Sequence, residues 1–288
     1  MIGIITVNWR GYDITCQLIQ QVLDNGHQDF RFILVNNSAD EVEKFDANPV
    51  NDPRIQVIHS KENKGFSGGI NMGLKVLLPI PEISHFIIMN NDVELEKDFI
   101  EQMLARAPRE ERIYSPLIYL RDTDLIYNTG GKVHVWLGGT VNQNNHVPVD
   151  RIRRIKPDYF TGCILFMHRR VIERVGLLDE DFGTYYEDVD FCTRAKKLGI
   201  ELEMVWAVRA RHFHSYSTKG KDNVIKIYLL NRNQILFAKK HLKPLPRMVF
   251  ITAAVVRGFL FNLKPKRFPH YWRGVREGLG KSSAPGKS

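Results

Sequence analysis

Short apolar runs alternate with amphipathic segments along the first part of the chain. Residues 2–7, 32–35, 55–58 and 86–89 form runs rich in Ile, Val and Phe. Runs of this length are typical of strands buried on both faces. Between them, apolar spacing predicts helices over residues 13–23, with Asp13 as the cap, over 69–78 and over 98–107. This alternation predicts an α/β fold with a Rossmann-like, mostly parallel sheet flanked by helices.

The second half of the chain is regular only after residue 160. Residues 113–160 form a less regular stretch, in which "NTGGKVHVWLGG" indicates a hairpin or a long loop. "GCILFMHRRVIERVGLLDEDF" predicts a strand that enters a helix, and "EDVDFCTRAKKLG" an amphipathic helix that Gly199 ends. A strand over "IELEMVWAVRARHFH" and a helix over residues 223–241 follow.

The fourth apolar run stops abruptly at Asn90, Asn91 and Asp92. Open α/β sheets bind ligands beyond the carboxyl ends of their strands, where these side chains are expected to lie. Carboxylate and amide oxygens suit Mg²⁺ or Mn²⁺, which often share them with phosphate. The alternative is an Asn-rich turn that satisfies its own backbone. Position at the end of a strand favours the ligand site.

A glycine-rich segment, "ENKGFSGGINMG", precedes the second predicted helix. Glycines at a helix entrance let the backbone approach an anion and direct N–H groups towards it. The segment matches neither a Walker loop nor G-x-G-x-x-G. The alternative is a tight loop that needs positive φ angles, although such a loop does not require the polar side chains of Asn63 and Asn71.

Six acidic residues fall within "DEDFGTYYEDVD", residues 179–190. Carboxylates at a helix N-terminus are stabilised by the helix dipole, and helix capping is the interpretation we prefer for Asp190. For Asp188 we prefer a general base. Such a base needs an acceptor surface nearby, which the aromatic side chains of Phe182, Tyr185 and Tyr186 are placed to form.

Two histidines, His212 and His214, end the last predicted strand and project to the same side of it. One of them is placed to complete a metal site with Asp92. The alternative is an ordinary pair of surface residues at the end of a strand.

Charge and cysteine usage narrow the class of protein. The formal net charge is +9, and the excess lies in the last part of the chain. The three cysteines lack metal-binding spacing, and Met1 leads directly into a strand, which indicates a reduced cytoplasmic protein. The apolar stretch "MVFITAAVVRGFLFNL" is short and contains Arg257. It is expected either to lie on the inner face of the cell membrane or to pack as a core helix.

Several motifs together resemble glycosyltransferase family 2. They are "TVNW", "ILVNNSAD", "ENKGFSGGIN", "IMNNDVEL", "TGCILFMHRRVIERVGLLDEDFGTYYEDVDFCTRAKKLG" and "RHFHSYS", in the order seen in the family. The nearest resemblance is to the rhamnosyltransferase-like branch of bacterial polysaccharide assembly, over about residues 2–240. It implies a GT-A fold, a nucleotide-sugar donor, a divalent metal, Mg²⁺ or Mn²⁺, and inversion at the anomeric carbon.

The resemblance also assigns roles to individual residues. Asp92 matches the last acidic position of the DxD-type metal motif, where Asn90 replaces the first Asp, and His212 matches the histidine that completes the site. Asp188, beside Glu187, matches the catalytic base. Asn36 occupies the position of the Asp that binds the pyrimidine in many members, and an amide oxygen still accepts from the base. Further donor-binding candidates are Asn8, Asn63, Gly65, Asn71 and Asn91, and acceptor candidates are Tyr185, Tyr186 and His214.

The sequence therefore predicts an inverting, metal-dependent glycosyltransferase of cell-envelope polysaccharide assembly. Residues 1–240 are expected to form the GT-A catalytic domain, and 241–288 a basic, helical, partly amphipathic extension. The substrates are expected to be a nucleotide-diphosphate sugar, with rhamnose as a candidate, and a glycan or lipid-linked saccharide. No nucleic-acid partner is expected. The alternatives are a metal-dependent sugar nucleotidyltransferase and a non-catalytic basic nucleic-acid-binding protein, although the acidic cluster would repel phosphates.

Overall fold

The fold is an α/β layered structure around one large sheet. The computed structural model describes residues 1–47, 51–213 and 224–280 of the chain. Its strands are β1 Ile2–Asn8, β2 Phe30–Asn36, β3 Ile55–His59, β4 His85–Asn90, β5 Val93–Leu95, β6 Arg112–Leu120, β7 Ile126–Asn128, β8 Gly131–His134, β9 Gly139–Asn142, β10 Ile164–His168 and β11 Glu201–His212. Its α-helices are α1 Tyr12–Leu23, α2 Val42–Ala47, α3 Gly65–Leu77, α4 Phe99–Arg106, α5 Arg169–Val175, α6 Glu187–Lys197, α7 Val224–His241, α8 Pro244–Phe261 and α9 Phe268–Gly280.

The central sheet has the order β3-β2-β1-β4-β10-β6-β11-β5, and β7 pairs with β6. Strands β1 to β4 pair in parallel. Strand β10 runs antiparallel to both β4 and β6, and β11 is parallel to β6. Because β6 and β11 thus point the same way as β1 to β4, their carboxyl ends emerge at one edge. The predicted mostly parallel sheet is confirmed.

Alternation along the strands divides the core between two faces of the sheet. In β1, Ile2 and Ile4 face the layer of α1 and α4, whereas Ile5 and Val7 face the layer of α3, α5 and α6. Successive side chains of a strand point to opposite faces, so a continuous apolar run fills both layers. The predicted strands at residues 2–7, 32–35 and 86–89 are therefore buried on both sides, whereas the strand at 55–58 lies at the sheet edge and is only partly buried.

Three local predictions differ from the structure. Strand β6 is a buried strand within the stretch predicted to be irregular, although the hairpin predicted there exists as β8 and β9. Helix α1 begins at Tyr12 with Gly11 at its N-cap, so Asp13 lies in the first turn rather than capping the helix. Helix α3 begins at Gly65, so the glycine-rich segment is itself helical. Packing against the sheet overrides the low helix propensity of glycine here.

The C-terminal helices pack on α7, which ends at His241, next to the predicted boundary at residue 240. In α9, Tyr271 and Val275 are buried against Ile235 of α7. Gly274 and Gly278 allow this close approach, because a Cβ at either position would meet the α7 backbone at 2.5 or 2.9 Å. The predicted basic extension is therefore helical and joined to the rest of the fold through α7.

An ion cluster at Asp190 joins α6 to α7. Asp190 is fully buried, and its carboxylate contacts Arg194 Nε at 2.8 Å, Lys240 Nζ at 2.7 Å and His241 Nε2 at 2.7 Å. Burial raises the pKa of Asp190, but the His241 hydrogen bond and the Arg194 and Lys240 charges together lower it well below the usual range. Asp190 therefore has a structural role, but it pairs with cationic side chains of α6 and α7 rather than capping α6, whose N-cap is Tyr186.

Replacing Asp190 is expected to destabilise the fold. Asp190→Asn leaves the cationic partners without their carboxylate, which should reduce the free energy of unfolding at neutral pH by about 3 kcal/mol. The folded-state pKa is depressed, so the charge stabilises the fold above the unfolded-state pKa, about 4, and the difference from wild type should shrink as the pH falls below it. Urea denaturation at several pH values measures this difference.

The ion pair of Arg169 with Glu173, whose carboxylate is exposed, provides the control for Asp190. Its closest N–O distance is 3.6 Å, and the Glu173 side chain is 50% exposed. Glu173→Gln should change the free energy of unfolding by less than about 1 kcal/mol, since water screens such a pair. Equal effects of the two substitutions would contradict the role given to the Asp190 cluster.

Candidate active site

A large cavity opens at the carboxyl edge of the sheet. Its volume is about 770 Å³. Strand ends form its floor, the β8–β9 hairpin and the loop of residues 180–186 form its walls, and α7 contributes a further side. Of the predicted site residues, the cavity is lined by Asn63, Gly65, Asn91, Asp92, Tyr185, Tyr186, Glu187, Asp188 and His212. The fold thus brings most of the predicted site together.

Asp92 and His212 lie side by side on the floor of the cavity. His212 Nε2 is 3.1 Å from Asp92 Oδ1, and the two residues are 5% and 6% exposed. The pairing of β5 with β11 causes this contact, because it sets Val93 opposite His212. Burial lowers the pKa of His212, but the neighbouring Cys163 and Asp92 outweigh burial and raise it to about 10. In the absence of a cation the two side chains therefore form an ion pair.

The Asp92–His212 pair fits a divalent cation in part. A carboxylate oxygen and an imidazole nitrogen on one cavity wall are two ligands of the kinds that Mn²⁺ and Mg²⁺ accept. Among the residues that the structure describes, no group of three or more His, Cys, Asp or Glu side chains could hold a metal. A cation at this pair would take its other ligands from substrate phosphate and water, as Mg²⁺ usually does in phosphate-binding sites.

A second pair of carboxylates, Glu187 and Asp188, lies at the N-terminus of α6. Asp188 is partly exposed, and its oxygens accept hydrogen bonds from Gly162 N–H at 2.9 Å and from Val189 N–H at 2.7 Å. Burial raises the pKa of Asp188, and these N–H groups oppose the effect. Burial and the negative charge of Asp188 raise the pKa of Glu187 well above its usual value. Asp188 is thus fixed in orientation and more basic than an ordinary carboxylate, as a general base requires.

The loop before α6 has a constrained backbone. Tyr185 and Tyr186 have φ angles of 69° and 74°, a region that residues other than glycine seldom adopt. The buried amide of Asn233 holds this loop from α7. Its Nδ2 lies 2.8, 2.9 and 2.6 Å from the carbonyl oxygens of Phe182, Thr184 and Tyr185. These bonds stabilise the backbone that leads into Glu187 and Asp188.

The aromatic wall predicted for the acceptor is reduced to one exposed ring. Phe182 is fully buried, Tyr186 is 6% exposed, and only the Tyr185 ring is more accessible, with Lys226 Nζ 5.7 Å from its centroid. The other acceptor candidate, His214, lies outside the described residues. Tyr185 therefore remains the best placed of the predicted acceptor residues.

The anion site predicted at the glycine-rich segment is wrong in its detail. The N–H groups at the start of α3 already have protein partners: Gly65 donates to Asn63 Oδ1, Phe66 to Thr184 Oγ1 and Ser67 to the Gly183 carbonyl. Gly65 has a φ of 69°, and a Cβ there would lie 2.7 Å from the Gly183 backbone. A positive φ is therefore needed at Gly65 alone, where the chain enters α3, and Asn63 and Gly65 line the cavity.

Three predicted donor-binding residues lie beneath the cavity rather than on its surface. Asn8 and Asn36 are fully buried, and the Asn8 amide donates to Asn36 Oδ1 and to Glu41 Oε2. Asn71 is also buried, and it exchanges hydrogen bonds with the backbone of Leu178. The side chains of these residues hold the strand ends and loops in place, and Asn36 Oδ1 already accepts hydrogen bonds from Asn8 Nδ2 and from Ser38 N–H.

Several cavity residues escaped the sequence-based prediction. Thr140 and Asn142 line the cavity from β9, and their i, i+2 spacing puts them on one face of the strand. That spacing is the one signal in the sequence that could have identified them. Asn37 is a strand-end polar residue whose amide donates to the Gly65 carbonyl at 2.8 Å. Trp9, within the motif "TVNW", also lines the cavity without having been predicted to do so. Other lining residues from outside the predicted motifs are Tyr127, Tyr159, Ile225, Lys226, Leu229 and Arg232.

The mixed sheet, the cavity at its carboxyl edge and the two sets of carboxylates together define a glycosyltransferase of the GT-A fold. The sequence profile of the family described as "Glycosyl transferase family 2" matches residues 2–176. The chain belongs to this family, which confirms the family predicted from the motifs.

The chain is similar to proteins of known name. The chain is 26% identical to "Low-salt glycan biosynthesis hexosyltransferase Agl10" of Haloferax volcanii, with 85% of this chain and 86% of that protein covered. It is 24% identical to "N-acetylglucosaminyl-diphospho-decaprenol L-rhamnosyltransferase" of Mycobacterium tuberculosis, with 66% and 68% covered. A similar solved structure is GalNAc-T7 with UDP, GalNAc and Mn²⁺, at a TM-score of 0.67 and 12% identity. That match covers 96% of this chain and 56% of the other, and it shows the fold alone.

Proposed function

We propose that this protein is an inverting glycosyltransferase that moves a hexose or deoxyhexose from a nucleotide-diphosphate donor to a lipid-linked saccharide. One observation carries the proposal: the Asp188 carboxylate and the Asp92–His212 pair line the same cavity. The first supplies a base for an acceptor hydroxyl, and the second supplies ligands for the cation that a diphosphate needs. The names of the two relatives, a hexosyltransferase and a diphospho-decaprenol rhamnosyltransferase, support the substrate class.

In the proposed mechanism, Asp188 accepts the proton of the acceptor hydroxyl as that oxygen attacks the anomeric carbon. The bond from the sugar to the diphosphate breaks on the opposite face, which inverts the configuration. Asp92 and His212 would hold Mg²⁺ or Mn²⁺, which supplies charge stabilisation for the leaving diphosphate. The N–H groups of Gly162 and Val189 keep the Asp188 carboxylate aimed during the reaction.

The donor sugar and the product distinguish this proposal from nucleotidyl transfer. The purified protein would be mixed with Mn²⁺, a short polyprenyl-diphosphate-linked saccharide and each of a panel of nucleotide-diphosphate sugars. One donor should give release of nucleoside diphosphate. Nuclear magnetic resonance should show the inverted anomer in the product. We expect a rhamnose donor to be among the active ones. Release of pyrophosphate, or retention of configuration, would contradict the proposal.

The proposed site of action is the cytoplasmic face of the cell membrane, where nucleotide sugars and lipid-linked acceptors meet. The sequence supports a cytoplasmic location through its cysteine usage, and Cys16, Cys163 and Cys192 are free thiols in the structure. This placement requires a surface on the protein that meets the membrane.

A further inference from the structure

Helix α8 has apolar residues on two opposite faces. Phe250, Ala254 and Gly258 are buried on the inner face. The outer face exposes large apolar side chains, with Met248 at 61% and Leu260 at 62% exposure. The exposed residues are spaced three to four positions apart, or by whole turns of the helix, so they lie along one stripe. The stripe consists of Leu245, Met248, Val256, Phe259 and Leu260.

The exposure of this helix separates the two alternatives left by the sequence. Among the described residues, α8 is the one helix long and apolar enough to cross a membrane by length and composition, and only 17% of it is buried. A core helix would be mostly buried, whereas only the inner face of α8, through Phe250 and Ala254, joins the core. An apolar stripe of this size on a protein surface marks an interaction site.

Charged groups are kept away from the stripe and gathered at its ends. Arg257 turns inward, where its guanidinium contacts the Gly138 carbonyl and Gln234 Oε1, both at 3.2 Å. Lys243 precedes the helix, and Lys264 and Lys266 follow it, all exposed. Residues 243–280 contain eight Lys or Arg and a single acidic residue. The surface is therefore apolar in the middle and cationic at the margins.

Two further elements that contact α8 also expose apolar side chains. In α9, Trp272 and Leu279 are exposed, and the ring centroid of Phe268 at its start lies 6.0 Å from that of Phe259 in the stripe. The tip of the β8–β9 hairpin meets α8 at Gly138, where a Cβ would lie 2.1 Å from the Ala254 nitrogen. That tip exposes Trp136 at 82%. Tryptophan is enriched where proteins meet the membrane–water interface.

We propose that α8, α9 and the hairpin tip form a docking surface for an anionic lipid bilayer. The apolar stripe enters the boundary between headgroups and acyl chains, and the lysines at its ends meet the anionic headgroups. Charge argues against a second copy of the chain as the occupant, because a symmetric pair would bring two cationic margins together. The β8–β9 hairpin also contributes Thr140 and Asn142 to the cavity, so docking sets the cavity beside the membrane.

Vesicle flotation tests the docking surface independently of catalysis. The full chain should float with vesicles of phosphatidylcholine and phosphatidylglycerol in equal parts, and less with phosphatidylcholine alone. Replacing Met248, Val256 and Leu260 together by Ser should lower the partition coefficient by on the order of a hundredfold. Lys264→Gln and Lys266→Gln should each lower it about fivefold at low salt. The control variant replaces by Ser two exposed apolar residues outside the proposed docking surface, Ile155 and Leu198. It should float like wild type.

The following outcomes would contradict the proposed docking surface. A full chain that stays unbound to anionic vesicles, or a triple variant that floats like wild type, would do so. So would sedimentation showing a dimer that the triple substitution dissociates, because a second copy would then cover the stripe. Asp188→Asn is expected to float normally, so a failed docking surface and a failed catalytic proposal give different results.

Discussion

Asp188→Asn should abolish glycosyl transfer while leaving donor binding nearly intact. A general base in the transition state contributes a factor of roughly 10² to 10⁴ in rate, and the amide cannot take the proton of the acceptor hydroxyl. An amide oxygen still accepts one of the two hydrogen bonds that Gly162 and Val189 donate, so the N-terminus of α6 should keep its place. Single-turnover assays would measure the rate, and calorimetry the dissociation constant for the donor.

Glu187→Gln separates the two neighbouring carboxylates. Glu187 is 6% exposed, whereas Asp188 is more open to the cavity, so Glu187→Gln should lose less activity than Asp188→Asn. Since burial raises the pKa of Asp188, wild-type transfer should decline as the pH falls, beginning above the usual carboxylate value of about 4. If Asp188→Asn keeps most of the wild-type transfer rate, a residue other than Asp188 is the base.

Asp92→Ala should remove metal-dependent donor binding. Asp92 supplies the only carboxylate of the Asp92–His212 pair, and the imidazole alone is a weak site for a hard cation. In calorimetry with nucleoside diphosphate, Mn²⁺ should lower the dissociation constant of wild type. With Mn²⁺ present, Asp92→Ala should bind the nucleotide on the order of a hundredfold more weakly than wild type. Without metal, the two proteins should bind the nucleotide similarly.

The control for Asp92 is Glu94, two residues along the same strand end. Glu94 is exposed to solvent and lies 3.9 Å from Arg121, so Glu94→Gln should bind nucleotide and Mn²⁺ as wild type does. His212→Ala should weaken the metal effect by a smaller factor than Asp92→Ala. Unchanged Mn²⁺ dependence in Asp92→Ala would remove this residue from the metal site.

The outline of the fold was predictable because its signals are local. A strand repeats every two residues and a helix every 3.6, so apolar spacing alone marks β1 to β4, α1 and α6. The position of Asp92 at a strand end was predictable for the same reason. Strand β6 was missed because residues 113–160 mix it with turns and the hairpin, which weakens the apolar pattern.

The candidate site was predictable only as a set of strand-end and helix-end residues. Asn8, Asn36 and Asn71 satisfy the same pattern as Asn63 and Asn91, yet the first three lie beneath the cavity and the last two line it. The difference depends on which side chain packs between neighbouring strands. That packing is a property of the assembled sheet and leaves no trace in spacing along the chain.

The sequence by itself determined the alternation of strands and helices, the family, and the carboxylates Asp92 and Asp188. The resemblance also paired His212 with Asp92, and the pairing of β5 with β11 brings the two side chains together. Only the tertiary structure decided which further residues join them: packing of α7 brings Asn233 to the loop before Asp188. Local periodicity follows from backbone geometry at each residue, whereas contacts between segments a hundred residues apart depend on how all layers of the core pack at once.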